Sequence, residues 1–144
     1  MSKGIEQPIP QGTYLPAVRH AGLIYTSGMT PRKAGVLKYS GKIRAGDQIE
    51  TYRDAVRLAT LNALAAAQAC LREGENISVI LQLNIFLNTE DAFTAHSKIA
   101  DFASEMVIEH LGAGSIGSRA AIGVASLPSN APVEVTLIGS VAEA

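Results

Sequence analysis

The stretch SRAAIGVASLPSNAPVEV, Ser118 to Val135, contains two short runs of small and apolar residues separated by the segment LPSNAP. Arg119 begins the first run, and Glu134 stands inside the second. Apolar runs of this length, bounded by proline, serine and asparagine, are typical of β-strands. We therefore predict strands over Arg119–Ser126 and Val133–Val141, each with a charged residue whose purpose needs an explanation.

The positions of these two charges constrain how the strands are arranged. In a hairpin around LPSNAP, Arg119 would lie opposite Ser140, and Glu134 would lie opposite Ala125. At about 3.3 Å per residue, the two charges would be roughly 20 Å apart. They can share one site only if the strands are not hairpin partners, or if the residues come from neighbouring chains.

The segment before this stretch begins with a predicted hairpin. Two β-rich runs in VRHAGLIYTSG, Val18 to Gly28, flank the turn residues His20 to Gly22, and Pro31 closes the unit. The following GVLKYSGKI, Gly35 to Ile43, is compatible either with a short third strand or with a loop.

Two later segments carry apolar and alanine residues at helical spacing. The first runs from Asp47 to about Arg72, with Asp47 as a candidate N-cap and Gly74 just beyond the end. The second runs from Asp91 to His110 and has acidic residues at the positive end of its dipole. Both segments are predicted to be helices.

Between the helices, ISVILQLNIFLN predicts a strand over Ile77–Asn88 with alternating faces. One face, predicted to be core, contains Ile77, Val79, Leu81, Leu83, Ile85 and Leu87. The other combines Gln82 and Asn84 with Ile80 and Phe86, a mixture that is typical of a subunit interface. The element order ββ(β)αβαββ predicts an α+β fold with both helices on one face of a largely antiparallel sheet.

Length and composition favour one globular domain over residues 1–144, since 47% of the residues are apolar and 17% are charged. No apolar run approaches the roughly 18 residues of a membrane span, and the first residues lack the apolar core of a signal peptide. The single cysteine, Cys70, excludes an intrachain disulfide and is interpreted as a buried, inert thiol. We expect a soluble, cytoplasmic protein.

Charge is unevenly distributed, because residues Gln7 to Gly46 include six basic side chains and no acid. Such a segment is either an ordinary solvated surface or a positive field that attracts small anions and, less favourably, RNA. The aromatic residues that stack on bases are sparse in this segment, so nucleic acid is not the preferred partner.

Known motifs for cofactors and metals do not fit this sequence. Gly112–Gly117 matches GxGxxG, but a predicted helix precedes it and a strand follows, the reverse of a dinucleotide-binding unit. His20 lies in a turn, and His96 and His110 lie about 21 Å apart along one helix. We expect no metal and no cofactor.

The joint register of several positions resembles the RidA/YjgF family over almost the whole chain. Members carry an arginine at a strand start, Leu-Pro eight and nine residues later, then Val-Glu-Val, and an earlier tyrosine followed by Ser-Gly and proline. The matching residues are Arg119, Leu127–Pro128, Val133–Val135, Tyr14, Ser27, Gly28 and Pro31. The resemblance implies a homotrimer of chorismate-mutase-like fold, with two helices packed on one face of the β-sheet.

The resemblance also implies a site in the cleft between adjacent subunits. Arg119 would pair with a substrate carboxylate, and Glu134 would hold a water near the imine carbon. Tyr14, Ser27 and the backbone of Gly28 would line the pocket. The chain departs from the deaminase members at two further pocket positions, where Ser97 replaces an asparagine and Ala121 replaces a cysteine.

The resemblance implies a hydrolase that converts small 2-imino or enamino acids to 2-keto acids and ammonia. Two alternatives stay open at this point. One is a trimer that binds metabolite carboxylates for regulation without catalysis. The other, less favoured, is an endoribonuclease-like relative that uses the basic segment Gln7–Gly46.

Overall fold

The computed structural model describes residues 6–143, and its centre is a five-stranded sheet with two helices on one face. The strands are β1 (Ala17–His20), β2 (Leu23–Thr26), β3 (Arg32–Lys33), β4 (Val36–Leu37), β5 (Glu75–Asn88), β6 (Ile116–Val124) and β7 (Val133–Glu143). The helices are α1 (Arg53–Gln68) and α2 (His96–Leu111). The α+β prediction is confirmed.

The main sheet has the strand order β1-β2-β7-β5-β6, while β3 and β4 form a separate two-stranded ribbon. β5 and β6 are parallel, and the other neighbours in the main sheet are antiparallel. The parallel pair follows from the chain order, because α2 provides the crossover connection that parallel strands need. The predicted hairpin is β1 and β2, and segment 35–43 contains β4 followed by a loop.

β6 and β7 are not hairpin partners, although only a short connection separates them in sequence. β5 lies between them and pairs with both. Arg119 and Glu134 could share a site if their strands do not pair or if they come from neighbouring chains. The first of these conditions is therefore met.

The alternation predicted for β5 is correct at Ile77 and in the second half of the strand, and it is wrong at positions 80 and 81. Leu83, Ile85 and Leu87 are fully buried, but Ile80 is buried as well and Leu81 is 42% exposed. The register with β7 shifts at two irregularities, between 77 and 79 and between 80 and 82. Each such bulge changes which side of the sheet the next residue faces, so a period of two cannot hold across it.

Both helices begin later than the periodicity predicts. A 3-10 turn over Ile49–Tyr52 precedes α1, and Asp47 is not its N-cap, because the Asp47 carboxylate accepts hydrogen bonds from the Arg44 N–H and the Tyr52 hydroxyl. Ahead of α2, buried Phe93 packs its ring edge-on against His96 at 5.0 Å, so this segment contributes to the core without being helical.

The end of α1 also differs from the sequence prediction. α1 ends at Gln68, and Gly74 adopts a positive φ of 82° in the turn before β5 rather than at the helix end. The alanine face of α1 is fully buried, which allows the helix to lie close on the sheet. Its members at 0% exposure include Ala59, Ala63 and Ala67. No helix between residues 6 and 143 combines the length and apolar character that crossing a membrane requires.

An ion pair holds the outer strand β1 to the start of β5. Arg19 donates to both carboxylate oxygens of Glu75 at 2.6 and 2.7 Å, and the backbone N–H of Arg72 donates to the same carboxylate at 2.6 Å. These hydrogen bonds, led by that from Arg19, lower the pKa of Glu75 to about 2. Nearby, Cys70 is partly exposed and not buried as predicted, although partial burial raises the pKa of its thiol, as expected for an unreactive cysteine.

We expect Glu75→Gln to destabilise the fold in a pH-dependent way. Because the pKa of Glu75 is lowered on folding, its contribution is complete above its ordinary value of 4.5 and is lost as the pH falls towards about 2. Thermal unfolding at neutral pH should therefore show a lower Tm for the variant, with a gap that narrows below pH 4.5. Glu73→Gln, at an exposed carboxylate in the adjacent turn, is the control. A gap that does not change with pH would contradict the role assigned to the charge.

Candidate functional site

Glu134 lies on the face of the sheet that the helices do not cover. It pairs with Phe86 of β5. Its neighbours along β7, Val133 and Val135, are buried and face the helices. Reciprocal hydrogen bonds of 2.8 Å between Met29 and Val135 bring the preceding segment against this strand. As a result, a Cβ atom placed on Gly28 would lie 2.6 Å from Glu134 Cδ, so any larger residue would have to displace the Glu134 side chain.

The Glu134 carboxylate is half-buried without a compensating charge. Burial raises its pKa, and among residues 6–143 neither a hydrogen bond nor a nearby cation offsets that desolvation. A carboxylate in this situation binds a proton more readily than an exposed one, which suits it to proton transfer. Glu134 is therefore the most distinctive titratable group on this face.

Three further predicted residues surround Glu134 in one cavity of about 550 Å³. They are Tyr14, Ser27 and Gly28. The Tyr14 hydroxyl accepts a hydrogen bond of 3.0 Å from the backbone N–H of Gln11, and the Ser27 hydroxyl donates one of 2.6 Å to the Leu15 carbonyl. Both side chains are thus fixed by the N-terminal segment that forms one wall of the cavity.

Arg119 lies on the opposite side of the sheet, beneath α2. It is the fourth residue of β6, not the first as predicted, and it pairs with buried Leu83, which faces the helices. Its Nη1 donates to Asp101 Oδ1 at 2.6 Å and to Ser104 Oγ at 3.0 Å, and its Nη2 donates to Ser97 Oγ at 2.8 Å. The guanidinium is therefore already engaged on both outer nitrogens.

This second cluster unites Arg119 with two of the predicted residues. Ser97 contacts the guanidinium directly, and Ala121 follows two positions later on the same face of β6, opposite Ile85. Sequence reasoning missed Asp101 and Ser104. Their signal was available, since Ser97, Asp101 and Ser104 recur at spacings of four and three and form one polar stripe on α2.

The two clusters do not meet within one chain. Their reference points on β5, Leu83 and Phe86, are three residues apart, which corresponds to about 10 Å along the strand and to opposite faces of the sheet. Arg119 and Glu134 also lie on strands that flank β5 on different sides. The separation of β6 from β7 is therefore not sufficient to bring Arg119 and Glu134 into one site, and only a second chain could join the clusters.

The motifs set aside in the sequence have structural explanations here. The glycine motif connects the end of α2 to β6, so a helix precedes it, and a Cβ on Gly117 would lie 2.4 Å from the Ile80 carbonyl oxygen. Gly117 thus permits the close pairing of β6 with the irregular part of β5. Within residues 6–143, no group of three or more histidine, cysteine or acidic side chains is arranged to hold a metal ion.

Comparison with known proteins places this fold and its signature in a family. Residues 4–141 match the family described as "YjgF/chorismate mutase-like, putative endoribonuclease". The protein TCP17 of Trypanosoma cruzi is 29% identical over 137 residues, covering 92% of this chain and 85% of that protein.

Solved structures agree with this match. A structure described as a "putative endoribonuclease" from Shewanella oneidensis is 32% identical, covers 94% of this chain and 89% of its own, and gives a TM-score of 0.83. Escherichia coli TdcF with bound serine is 22% identical, covers 93% and 92% of the two chains, and has the same fold with a TM-score of 0.66.

We expect Glu134→Gln to stabilise the isolated fold at neutral pH. Burial raises the pKa of Glu134, so the stability associated with its protonated form is present below the ordinary value of 4.5 and is lost as the pH rises through the raised value. A neutral amide of similar shape removes that loss. Thermal unfolding should give a higher Tm for the variant at neutral pH and a difference that shrinks below pH 4.5. Equal Tm values at neutral pH would argue against an uncompensated carboxylate.

Proposed function

The chain belongs to the YjgF/chorismate-mutase-like family, and from that premise we propose that it hydrolyses small 2-imino or enamino acids to 2-keto acids and ammonia. The site would lie in the cleft between two chains of a homotrimer. The observation that carries the proposal is the division of the signature residues into two clusters on opposite faces of one sheet. Cyclic assembly of identical chains would place the Arg119 cluster of one beside the Glu134 cavity of the next.

The two clusters offer complementary chemistry. A guanidinium can hold the planar carboxylate of an imino acid through paired, charge-assisted hydrogen bonds and so fix the adjacent C=N group. Glu134, with its raised pKa, would accept a proton from the attacking water. The water oxygen bonds to the imine carbon, and Glu134 passes that proton to nitrogen. The hydroxyl proton of this adduct then also moves to nitrogen as the C–N bond breaks, which releases ammonia and leaves the keto group.

Asp101 modifies how Arg119 would receive its ligand. Its carboxylate already occupies Nη1 at 2.6 Å, although the Asp101 side chain is 61% exposed and the Arg119 side chain is 20% exposed. A substrate carboxylate would have to displace Asp101, which could turn into solvent. Ser97, in contrast, would stay beside Nη2 and orient the guanidinium where deaminase members carry an asparagine.

Small-metabolite binding has support from the family, since the TdcF structure contains bound serine. RNA binding, the alternative suggested by the names of relatives, would depend on the basic segment 7–46. Two of its basic side chains are committed to the fold: Arg19 pairs with Glu75, and Lys42 donates to Asn88 Oδ1 and the Thr89 carbonyl. A trimer that binds carboxylates without catalysis would differ, because it would have no imine turnover for Glu134→Gln to lower.

A subunit-mixing experiment tests the shared site. Arg119→Ala and Glu134→Gln should each lower imine hydrolysis strongly, because each removes one half of the site. If the halves come from adjacent chains, refolding a 1:1 mixture should restore about a quarter of the sites, those with Arg119 from one chain and Glu134 from the next. Light scattering should give three chains of 15.1 kDa. Mixed trimers without recovered activity, or a monomer, would refute the proposal.

The arginine variants separate geometry from charge. Arg119→Ala should weaken 2-oxobutanoate binding about tenfold to a hundredfold, and Arg119→Lys should recover little of it, since lysine lacks the planar fork. Glu134→Gln should lower turnover more than it weakens keto-acid binding. Equal affinity for RNA in wild type and Arg119→Ala, without keto-acid binding in either, would favour the ribonuclease-like alternative.

Removing the charge of Asp101, which competes with the substrate for Arg119, should strengthen keto-acid binding. We expect Asp101→Asn to tighten 2-oxobutanoate binding by about tenfold or less, because the substrate carboxylate no longer displaces a charged partner from Arg119. Isothermal titration calorimetry measures the change, and Glu105→Gln on the same helix, whose carboxylate instead contacts Arg53, is the matched control. Weaker binding in Asp101→Asn would mean that Asp101 positions Arg119 instead of competing for it.

A further inference from the structure

Arg32 stands beside the Glu134 cavity and is not part of the family signature described above. It lines that cavity and also an adjoining one of about 580 Å³, which lies between the N-terminal segment, the β3–β4 ribbon and α1. The two cavities share Gln11, Tyr14, Gly28, Thr30 and Arg32. Arg32 therefore occupies the boundary between a pocket with the proposed catalytic carboxylate and further space behind it.

The guanidinium of Arg32 has unused hydrogen-bonding capacity. Nη1 donates to the Gly35 carbonyl at 3.0 Å and Nη2 donates to Ser129 Oγ at 3.1 Å, both neutral acceptors. Its Nε is buried and has no acceptor. Among residues 6–143, no carboxylate lies within the 4.0 Å of an ion pair with Arg32. Since each outer nitrogen carries two N–H groups, one on each remains available for an anion.

The two arginines in strands of the main sheet differ in this respect. Arg19 is held by Glu75, and Arg119 is held by Asp101, each at 2.6 Å. A cation that lines a cavity without an acidic partner attracts an anionic ligand more strongly than one whose charge is already neutralised. Arg32 is thus a guanidinium on the Glu134 cavity that can recognise a negative group.

We propose that Arg32 binds a second carboxylate of the substrate, so that the site takes 2-imino dicarboxylic acids in preference to monocarboxylic ones. This proposal rests on the proposed function, because the first carboxylate is assigned to Arg119 of the neighbouring chain. Arg32 and Glu134 do not form an ion pair and line one cavity of about 550 Å³, in which the carbon skeleton would lie. The imine carbon would lie at Glu134 and the distal carboxylate at Arg32.

The surroundings of Arg32 are suited to this role. Lys33 and His110 line the adjoining cavity and add basic groups behind the guanidinium, while Glu6 is the one acid along that wall. On the other side, Arg32 contacts Ser129 in the β6–β7 connection, where Ser129 and Asn130 both adopt positive φ values of 56° and 58°. The cation is therefore anchored on two sides and holds its position before a ligand arrives, which reduces the entropy cost of binding.

Calorimetry with a monoanionic and a dianionic keto acid tests the proposal. Wild type should bind 2-oxoglutarate about tenfold or more tightly than 2-oxobutanoate, as expected for one added charge-assisted contact. In Arg32→Gln this ratio should fall to about one, and Arg32→Lys should restore part of it. Lys38→Gln removes one positive charge from the same segment without lining either cavity and should keep the wild-type ratio.

The outcomes separate failure of this proposal from failure of the proposed function. If Arg119→Ala abolishes binding of both keto acids but wild type does not prefer the dianion, the imine hydrolase proposal stands and the role of Arg32 is refuted. A dianion preference that persists in Arg32→Gln refutes it as well. If wild type neither binds keto acids nor hydrolyses imines, both proposals fail. Should Arg32→Gln not fold, the wild-type ratio and Arg32→Lys decide the question.

Discussion

The pairing of β5 with both β6 and β7 is the constraint on which the rest of this structure depends. β5 is a long strand that accepts β7 antiparallel on one side and β6 parallel on the other. The crossover through α2 makes the parallel partner accessible and places that helix over β6. Because Arg119 aligns with Leu83 and Glu134 with Phe86, this one register assigns the two charges to opposite faces. The division of the candidate site into two clusters follows from that register.

The two faces differ in how their charges are balanced. Beneath α2, Arg119 is neutralised by Asp101 and fixed by two serines, so this half is complete in a single chain. In the cavity on the open face, Glu134 is desolvated and lacks a compensating group among the described residues, while Arg32, which lines the same cavity, holds only neutral acceptors. This cavity thus carries two uncompensated charges, and groups of this kind cluster at functional sites.

Pattern recognition succeeded where a residue's role depends on its local neighbours. The strand–helix order, the hairpin at Val18–Gly28 and the buried parity of β5 after Leu83 all follow from periodicity and turn residues. Periodicity failed at Ile80 and Leu81 of β5, because a bulge depends on the partner strand. It also failed at Asp47, because the Tyr52 hydroxyl and the Arg44 N–H donate to the carboxylate that was predicted to cap α1. Neither competitor is visible in a single-segment pattern.

For the site, the sequence by itself predicted which residues are candidates for the chemistry and that a simple hairpin would keep Arg119 and Glu134 apart. Their joint register with Tyr14, Ser27 and Gly28 was sufficient to identify the family. Only the tertiary structure decided that β5 separates the two strands, that Asp101 and Ser104 engage Arg119, and that Arg32 reaches the Glu134 cavity. The physical reason is that periodicity fixes the face of one element, whereas a contact between distant segments depends on strand order, register and the direction of long side chains.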